Sequence, residues 1–255
     1  MACSISPCGR YVATVDNDNK HRVTIYNIKR KVELATLPGN SSAVLDLAWS
    51  KRPDDLRFGV VGPKELTFWH PSDITKRISQ KGTFGKAQQC GLTCLSFDEE
   101  GWCYTGGDNG LIQVWSNDCS VVKSVKAHAL TVTAVTTEGN KLISGSKDQK
   151  IAIISIAPGG NFKLEKLVDF SGIESLASLP LNTPKSVDFF KGNLLIGLRN
   201  GSILELKNAL EADSKEPTVV AQSHFEGEAW GLIELPDDKI VTIGDDNRIM
   251  MFDTS

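Results

Sequence analysis

A chain of 255 residues with 28 basic and 31 acidic side chains has a formal charge of −3. It lacks the excess of Lys and Arg that a phosphate backbone demands, which excludes nucleic acid as the expected partner. No apolar run approaches the ~18 residues of a membrane span, and Met1-Ala2-Cys3-Ser4 opens no secretory leader, so a soluble cytoplasmic protein is predicted.

In chain order, short alternating strands end in one recurrent shape: Val23-Thr24-Ile25-Tyr26, Leu66-Thr67-Phe68-Trp69, Ile112-Gln113-Val114-Trp115, Ile151-Ala152-Ile153-Ile154, Ile203-Leu204-Glu205-Leu206 and Ile249-Met250-Met251-Phe252. Their last residues are separated by 43, 46, 39, 52 and 46 positions. These intervals centre on the period of roughly 40–45 residues expected of a four-stranded propeller blade. The third period shows the internal order clearly, with strands predicted at 91–97, 102–106, 111–115 and 121–126. Asn109-Gly110 and Asn200-Gly201 predict two-residue type I′ hairpins, in which both central residues have φ > 0. No segment carries a sustained helical stripe.

A lone four-stranded sheet cannot bury two apolar faces, so such sheets must stack. The predicted fold is therefore all-β, a WD-repeat β-propeller with six readable blades. Residues 1–255 form one domain of it, cut from a longer chain with a seven-bladed or tandem propeller. The first strand begins near Ala2–Ser6, and the sixth blade stops after its third strand, at Asp253-Thr254-Ser255.

His128 precedes Asp148 by 20 positions and His224 precedes Asp246 by 22; each Asp stands six before the strand-end residue of its blade. In WD repeats such a His bonds the Asp of the tight turn and links onward to a Ser or Thr and the strand-end Trp. Ser144 with His128 and Asp148 invites a catalytic reading. Recurrence once per blade argues instead for a structural hydrogen bond. Elsewhere the pattern is eroded. Asn109 and Asn200 take the turn position, Trp69 and Trp115 keep the strand-end indole, and Tyr26, Ile154, Leu206 and Phe252 replace it while still filling the space between blades.

Cysteines 3, 8, 90, 94, 103 and 119 lack the paired spacing of a zinc site and read as buried free thiols. Asp16-Asn17-Asp18-Asn19-Lys20 lacks the Gly and Glu of a calcium loop and reads as a polar hairpin turn. Gly106-Gly107-Asp108-Asn109-Gly110 precedes a strand, where a phosphate loop would precede a helix. Lys29-Arg30-Lys31 reads as a solvated turn. Trp230 has two readings: a partner contact if exposed, or a core residue of the innermost strand of blade six. No catalytic, cofactor-binding or metal-ligating set is expected, and no small-molecule substrate.

The blade wording resembles the echinoderm microtubule-associated protein-like family. The likeness rests on Arg10-Tyr11-Val12-Ala13-Thr14-Val15, Lys31-Val32-Glu33-Leu34-Ala35-Thr36, Thr105-Gly106-Gly107 with Gly110-Leu111-Ile112-Gln113-Val114-Trp115, Ala127-His128, Leu195-Ile196-Gly197-Leu198-Arg199-Asn200, and His224 with Ala229-Trp230-Gly231-Leu232. The resemblance implies a segment of the first of two tandem propellers, a non-enzymatic scaffold of the cytoplasm and cytoskeleton that binds tubulin through protein contacts. The family's N-terminal coiled coil with its basic region is absent from this sequence, as is the hydrophobic motif that opens the propeller region. WD-repeat proteins of cilia and flagella carry similar wording, so a scaffold in a ciliary, trafficking or signalling complex is the alternative.

Overall fold

Strands whose alternate positions are both apolar can be satisfied only in sheets covered on two sides, and several strands of the molecule are buried on both faces. The structure, a computed structural model, describes residues 2–253 apart from 17–18, 41, 71–78, 158–160, 174–181, 212–215, 225–226 and 236–238. Among the described residues there is no helix, hence none long and apolar enough to cross a membrane.

The chain divides into two compact units, Met1–Val168 and Asp169–Ser255. The first unit holds four antiparallel sheets of four strands, each in sequential order. Sheet one is β1 (Cys3–Ile5), β2 (Tyr11–Val15), β3 (Val23–Asn27) and β4 (Val32–Leu37). Sheet two is β5 (Asp46–Trp49), β6 (Phe58–Gly62), β7 (Glu65–Trp69) and β8 (Ser79–Lys81). Sheet three is β9 (Leu92–Phe97), β10 (Cys103–Gly107), β11 (Leu111–Trp115) and β12 (Val121–Lys126); sheet four is β13 (Val132–Glu138), β14 (Lys141–Ser146), β15 (Lys150–Ala157) and β16 (Asn161–Asp169). In the second unit, sheet five is β17 (Pro184–Phe190), β18 (Asn193–Leu198), β19 (Ile203–Leu206) and β20 (Thr218–Ala221). Sheet six has three strands among the described residues: β21 (Ala229–Leu235), β22 (Lys239–Gly244) and β23 (Ile249–Asp253). The fold class is all-β, of the WD-repeat β-propeller type, with every sheet a simple antiparallel meander.

Within the first unit three apolar layers alternate with the sheets. Ile25, Leu37, Trp49, Phe58 and Trp69 fill the first. Leu66, Phe68, Phe97, Cys103 and Trp115 fill the second; Tyr104, Ile112, Val132, Leu142 and Ile154 fill the third. The strand-end residue of each blade thus packs back on the preceding sheet: Trp69 on sheet one, Trp115 on sheet two, Ile154 on sheet three. This rule corrects one expectation. Tyr26 lies in register with Val12, on the face of sheet one opposite Ala13 and Ile25. That face has no preceding sheet in its unit, so Tyr26 is exposed rather than packed between blades. Phe252 is exposed as well, on a sheet whose first strand, β21, also presents Trp230, Leu232 and Ile233 to solvent. Of the thiols, only Cys94, Cys103 and Cys119 are buried; Cys8 and Cys90 are half-buried and Cys3 is exposed.

Polar ties cross the same layers. The Trp49 indole donates to the Ser4 carbonyl, Asp46 on β5 accepts the Leu95 amide of β9, and Thr137 on β13 donates to the Phe97 carbonyl. Burial pushes the Asp46 carboxyl up to about 6 against the pull of the two amides, Leu95 and Leu47, that it accepts. The most elaborate tie is Arg57, which precedes β6 and reaches sheet three. Its guanidinium donates to Asn117 Oδ1 (2.9 Å), to the Asn117 carbonyl (3.3 Å) and to the Gly101 carbonyl (2.5 Å). It lies over the rings of Phe68 (5.6 Å) and Phe97 (5.5 Å).

Truncating this clamp leaves its acceptors without their cation where Arg57 itself is buried. Arg57→Ala is expected to lower unfolding stability by about 3 kcal/mol, read by denaturant titration of tryptophan fluorescence. Arg57→Lys should recover little, since a point ammonium cannot span Asn117 and Gly101 together.

Candidate functional site

The candidate chemistry gathers at the turn between the second and third strands of each blade, and four sheets build that turn alike. The amides of Gly110, Gln149, Gly201 and Asn247 donate to the carbonyls three residues back, at 3.1–3.2 Å. These four residues have φ of 78°, 60°, 77° and 57°. The side-chain oxygens of Asn109, Asp148, Asn200 and Asp246 accept the amide two residues on, from Leu111 (3.1 Å), Lys150 (3.2 Å), Ser202 (3.0 Å) and Arg248 (3.3 Å). Only one turn residue is left-handed, so Asn109-Gly110 and Asn200-Gly201 do not form type I′ hairpins. They end three-residue loops in which an Asx side chain stands in for a backbone acceptor. Either Asn or Asp serves this purpose. At Gly110 the glycine is required twice, since a Cβ there would also lie 2.2 Å from the His128 carbonyl oxygen.

Two blades add a histidine. His128 Nδ1 lies 3.2 and 3.3 Å from the two Asp148 oxygens, and its Nε2 is 2.8 Å from Ser144 Oγ. Asp148 also accepts the Ala129 amide at 3.0 Å. Burial, outweighing the pull of Asp148, holds His128 below its ordinary value. The neutral ring therefore donates from Nδ1 to Asp148 and accepts the Ser144 hydroxyl at Nε2. In sheet six, His224 Nδ1 is 2.7 Å from Asp246 and Nε2 is 2.9 Å from Thr242 Oγ1.

Thr105, Ser144 and Thr242 each stand four residues before the turn Asx. In sheet three the Trp115 indole donates to Thr105 Oγ1 at 2.8 Å. The four-member relay is thus divided between blades. Sheets four and six carry His, Asp and hydroxyl; sheet three carries hydroxyl and Trp. In sheet five, where Ile196 takes the hydroxyl position, the Asn200 side-chain Nδ2 donates to Asn182 Oδ1 at 2.6 Å instead.

Ser144, His128 and Asp148 have the connectivity of a hydrolytic triad, but the His128 side chain is wholly enclosed and Ser144 is fully buried. A substrate carbonyl has no approach to the hydroxyl.

Trp69 is buried at the end of β7 beside the Trp49–Phe58 ring pair, and Trp115 meets Phe68 and Phe84 edge-on. Trp230 stands on β21, 70% exposed. Its indole donates to Asp245, whose carboxylate also accepts the Glu228 amide at 2.8 Å. Those two hydrogen bonds, the amide first, hold Asp245 below the usual carboxylate range. Among the described residues no group of three His, Cys, Asp or Glu is placed to hold a metal ion. Asp16 pairs with Arg22 at 3.2 Å, while Asn17 and Asp18 of the polar turn and Thr254 and Ser255 at the chain end lie outside the described residues.

Residues 119–155 match the model of the WD domain, G-beta repeat family. The chain is 33% identical to a ciliary WD repeat-containing protein, ctxp80, of Euplotoides octocarinatus, covering 99% of this chain and 33% of that protein. It is 26% identical to echinoderm microtubule-associated protein-like 1 of Rattus norvegicus, over 99% of this chain and 30% of the relative. It is 23% identical to the 77 kDa echinoderm microtubule-associated protein of Strongylocentrotus purpuratus, over 96% and 34%. The likeness to the echinoderm microtubule-associated protein-like family therefore runs through nearly the whole chain. The chain spans about a third of the length of these relatives.

Separation of the turn role from the histidine role is testable at Asp148. Asp148→Asn keeps the turn acceptor and should cost about 1 kcal/mol; Asp148→Ala, which loses both roles, should cost about 3 kcal/mol. The pH dependence follows from the lowered His128. With the folded value below the ordinary 6.5, the unfolded chain takes up the proton first as pH falls. Stability conferred by the neutral ring is thus present near pH 7 and lost below about pH 6.5. The melting-temperature gap between wild type and His128→Gln should narrow between about pH 7 and pH 5, a difference that cancels the opposite titration of Asp46.

Proposed function

We propose that this WD-repeat segment, similar along its length to echinoderm microtubule-associated protein-like proteins, is one domain of a longer chain. It acts there as a non-enzymatic scaffold of the cytoplasmic cytoskeleton that holds tubulin or microtubules through protein contacts. The likeness over 99% of the chain to relatives named as microtubule-associated carries the reading. The enclosure of His128 and Ser144 supports a structural role for the His–Asp pairs, beside Asn109, which holds a turn, and Trp69 and Trp115, which fill two of the apolar layers. Catalysis, a cofactor, a small-molecule substrate, nucleic acid and membrane have no part in it. Trp230 is assigned as a partner contact, because a large ring that is 70% exposed and held by an indole hydrogen bond is an anchor whose ordering cost is already met.

A second reading has its own support, since a relative at 33% identity is named a ciliary WD repeat-containing protein. In that case the same domain serves a ciliary, trafficking or signalling assembly.

Co-sedimentation with taxol-stabilised microtubules and size-exclusion with soluble tubulin test the first reading. Retention in either is expected, weakened about tenfold by Trp230→Ala. No retention of this chain or of the longer chain that contains it would refute the tubulin reading. Capture of ciliary components without tubulin would establish the second.

A further inference from the structure

Between sheets three and four, on the side away from the His–Asp turns, a cleft of about 780 Å3 opens within the first unit. Val114, Val122 and Ile156 form its apolar wall. Tyr104 and Phe162 meet edge-to-face inside it, with centroids 6.4 Å apart and planes at 81°. Trp102 stands at the mouth, 37% exposed.

These groups are fixed before any partner arrives. The Asp98 carboxylate accepts the amides of Glu100 (3.0 Å) and Trp102 (2.8 Å) and the Tyr104 hydroxyl (2.8 Å). Burial and Asp98 hold the Tyr104 hydroxyl above its usual range, so it remains a donor. A rigid turn therefore carries the ring at the mouth, and little entropy is lost when something docks against it.

The charge at the mouth selects the occupant. Glu99 and Glu100 are exposed beside Trp102. The cleft's one basic side chain among the described residues, Lys123, lies over the Phe162 ring at 5.1 Å. A ring face that already accommodates an ammonium, next to two solvated carboxylates, suits a cation. It repels phosphates, which removes nucleic acid and anionic lipid as occupants.

We propose that this cleft is a docking site for a protein segment that presents an apolar side chain beside a Lys or Arg. The apolar group enters between Val122 and Ile156 against Trp102. The cation meets Glu99 and Glu100 or takes the place of Lys123 on Phe162. The proposal deepens the scaffold reading by assigning a surface and a partner chemistry, and it rests on that reading.

Fluorescence anisotropy with three labelled peptides of about ten residues provides the test: alternating Leu-Lys, Leu-Glu and Ser-Lys. The Leu-Lys peptide is expected to bind and the other two to bind at least about tenfold more weakly. Trp102→Ala, and separately the double change Glu99→Lys with Glu100→Lys, should each weaken Leu-Lys binding about tenfold; Lys123→Ala should tighten it about threefold. The charge reversals lie on exposed side chains, so they decide the matter even if Trp102→Ala unfolds. Absence of Leu-Lys binding, equal binding of Ser-Lys, or indifference to the charge reversals would overturn the proposal. Microtubule co-sedimentation is read in parallel. Its retention without peptide binding condemns the cleft alone, and its loss with peptide binding intact condemns the tubulin reading alone.

Discussion

A four-stranded sheet that is apolar on both faces has no stable existence alone, and the rest of this structure follows from that constraint. In the first unit each interior sheet is covered twice, and the first three strands of sheet three are accordingly almost wholly buried. The direction of packing is fixed as well: in sheets two, three and four the strand-end side chain faces the sheet before it. An aromatic is therefore useful but replaceable at that position. Ile154 fills the layer as fully as Trp115 does, while Tyr26, with no preceding sheet in its unit, stands in solvent.

The polar groups serve the stack rather than a reaction. Four turns share one device, an Asx side chain accepting an amide two residues on, followed by a left-handed residue. Histidine is an addition to that device, present where the turn residue is Asp and missing where it is Asn. An Asn turn with no histidine gives up a charge-assisted bond but also avoids burying a charge, which explains why the eroded blades keep their geometry. The ties between sheets, through Asp46, Arg57 and Thr137, hold in register the layers that the apolar side chains fill.

Much of this was legible in the sequence because it is local and periodic. The strand-end spacing located all six sheets, and the strands read from blade three agree with the observed ones to within a residue or so. The His–Asp pairs were legible because they recur at a fixed offset. The turn type was misread, because Asn-Gly suggests two left-handed residues when the Asn side chain makes one sufficient. Arg57, Asp46 and the cleft around Trp102 left no readable signal. Each depends on side chains brought together from different blades, 40 to 60 positions apart in the chain, and nothing in the local pattern of Arg57-Phe58 or Leu45-Asp46-Leu47 tells of a partner in the next sheet.

The central claim is that sheets one to four stand or fall together, each supplying the cover its neighbour lacks. Native-state hydrogen exchange across the first unit measures this directly. The account predicts that the amides of β9, β10, β11 and β14 share one opening free energy, equal to that of global unfolding of the unit. Exchange of one sheet through its own, lower-energy opening while its neighbours remain protected would contradict it.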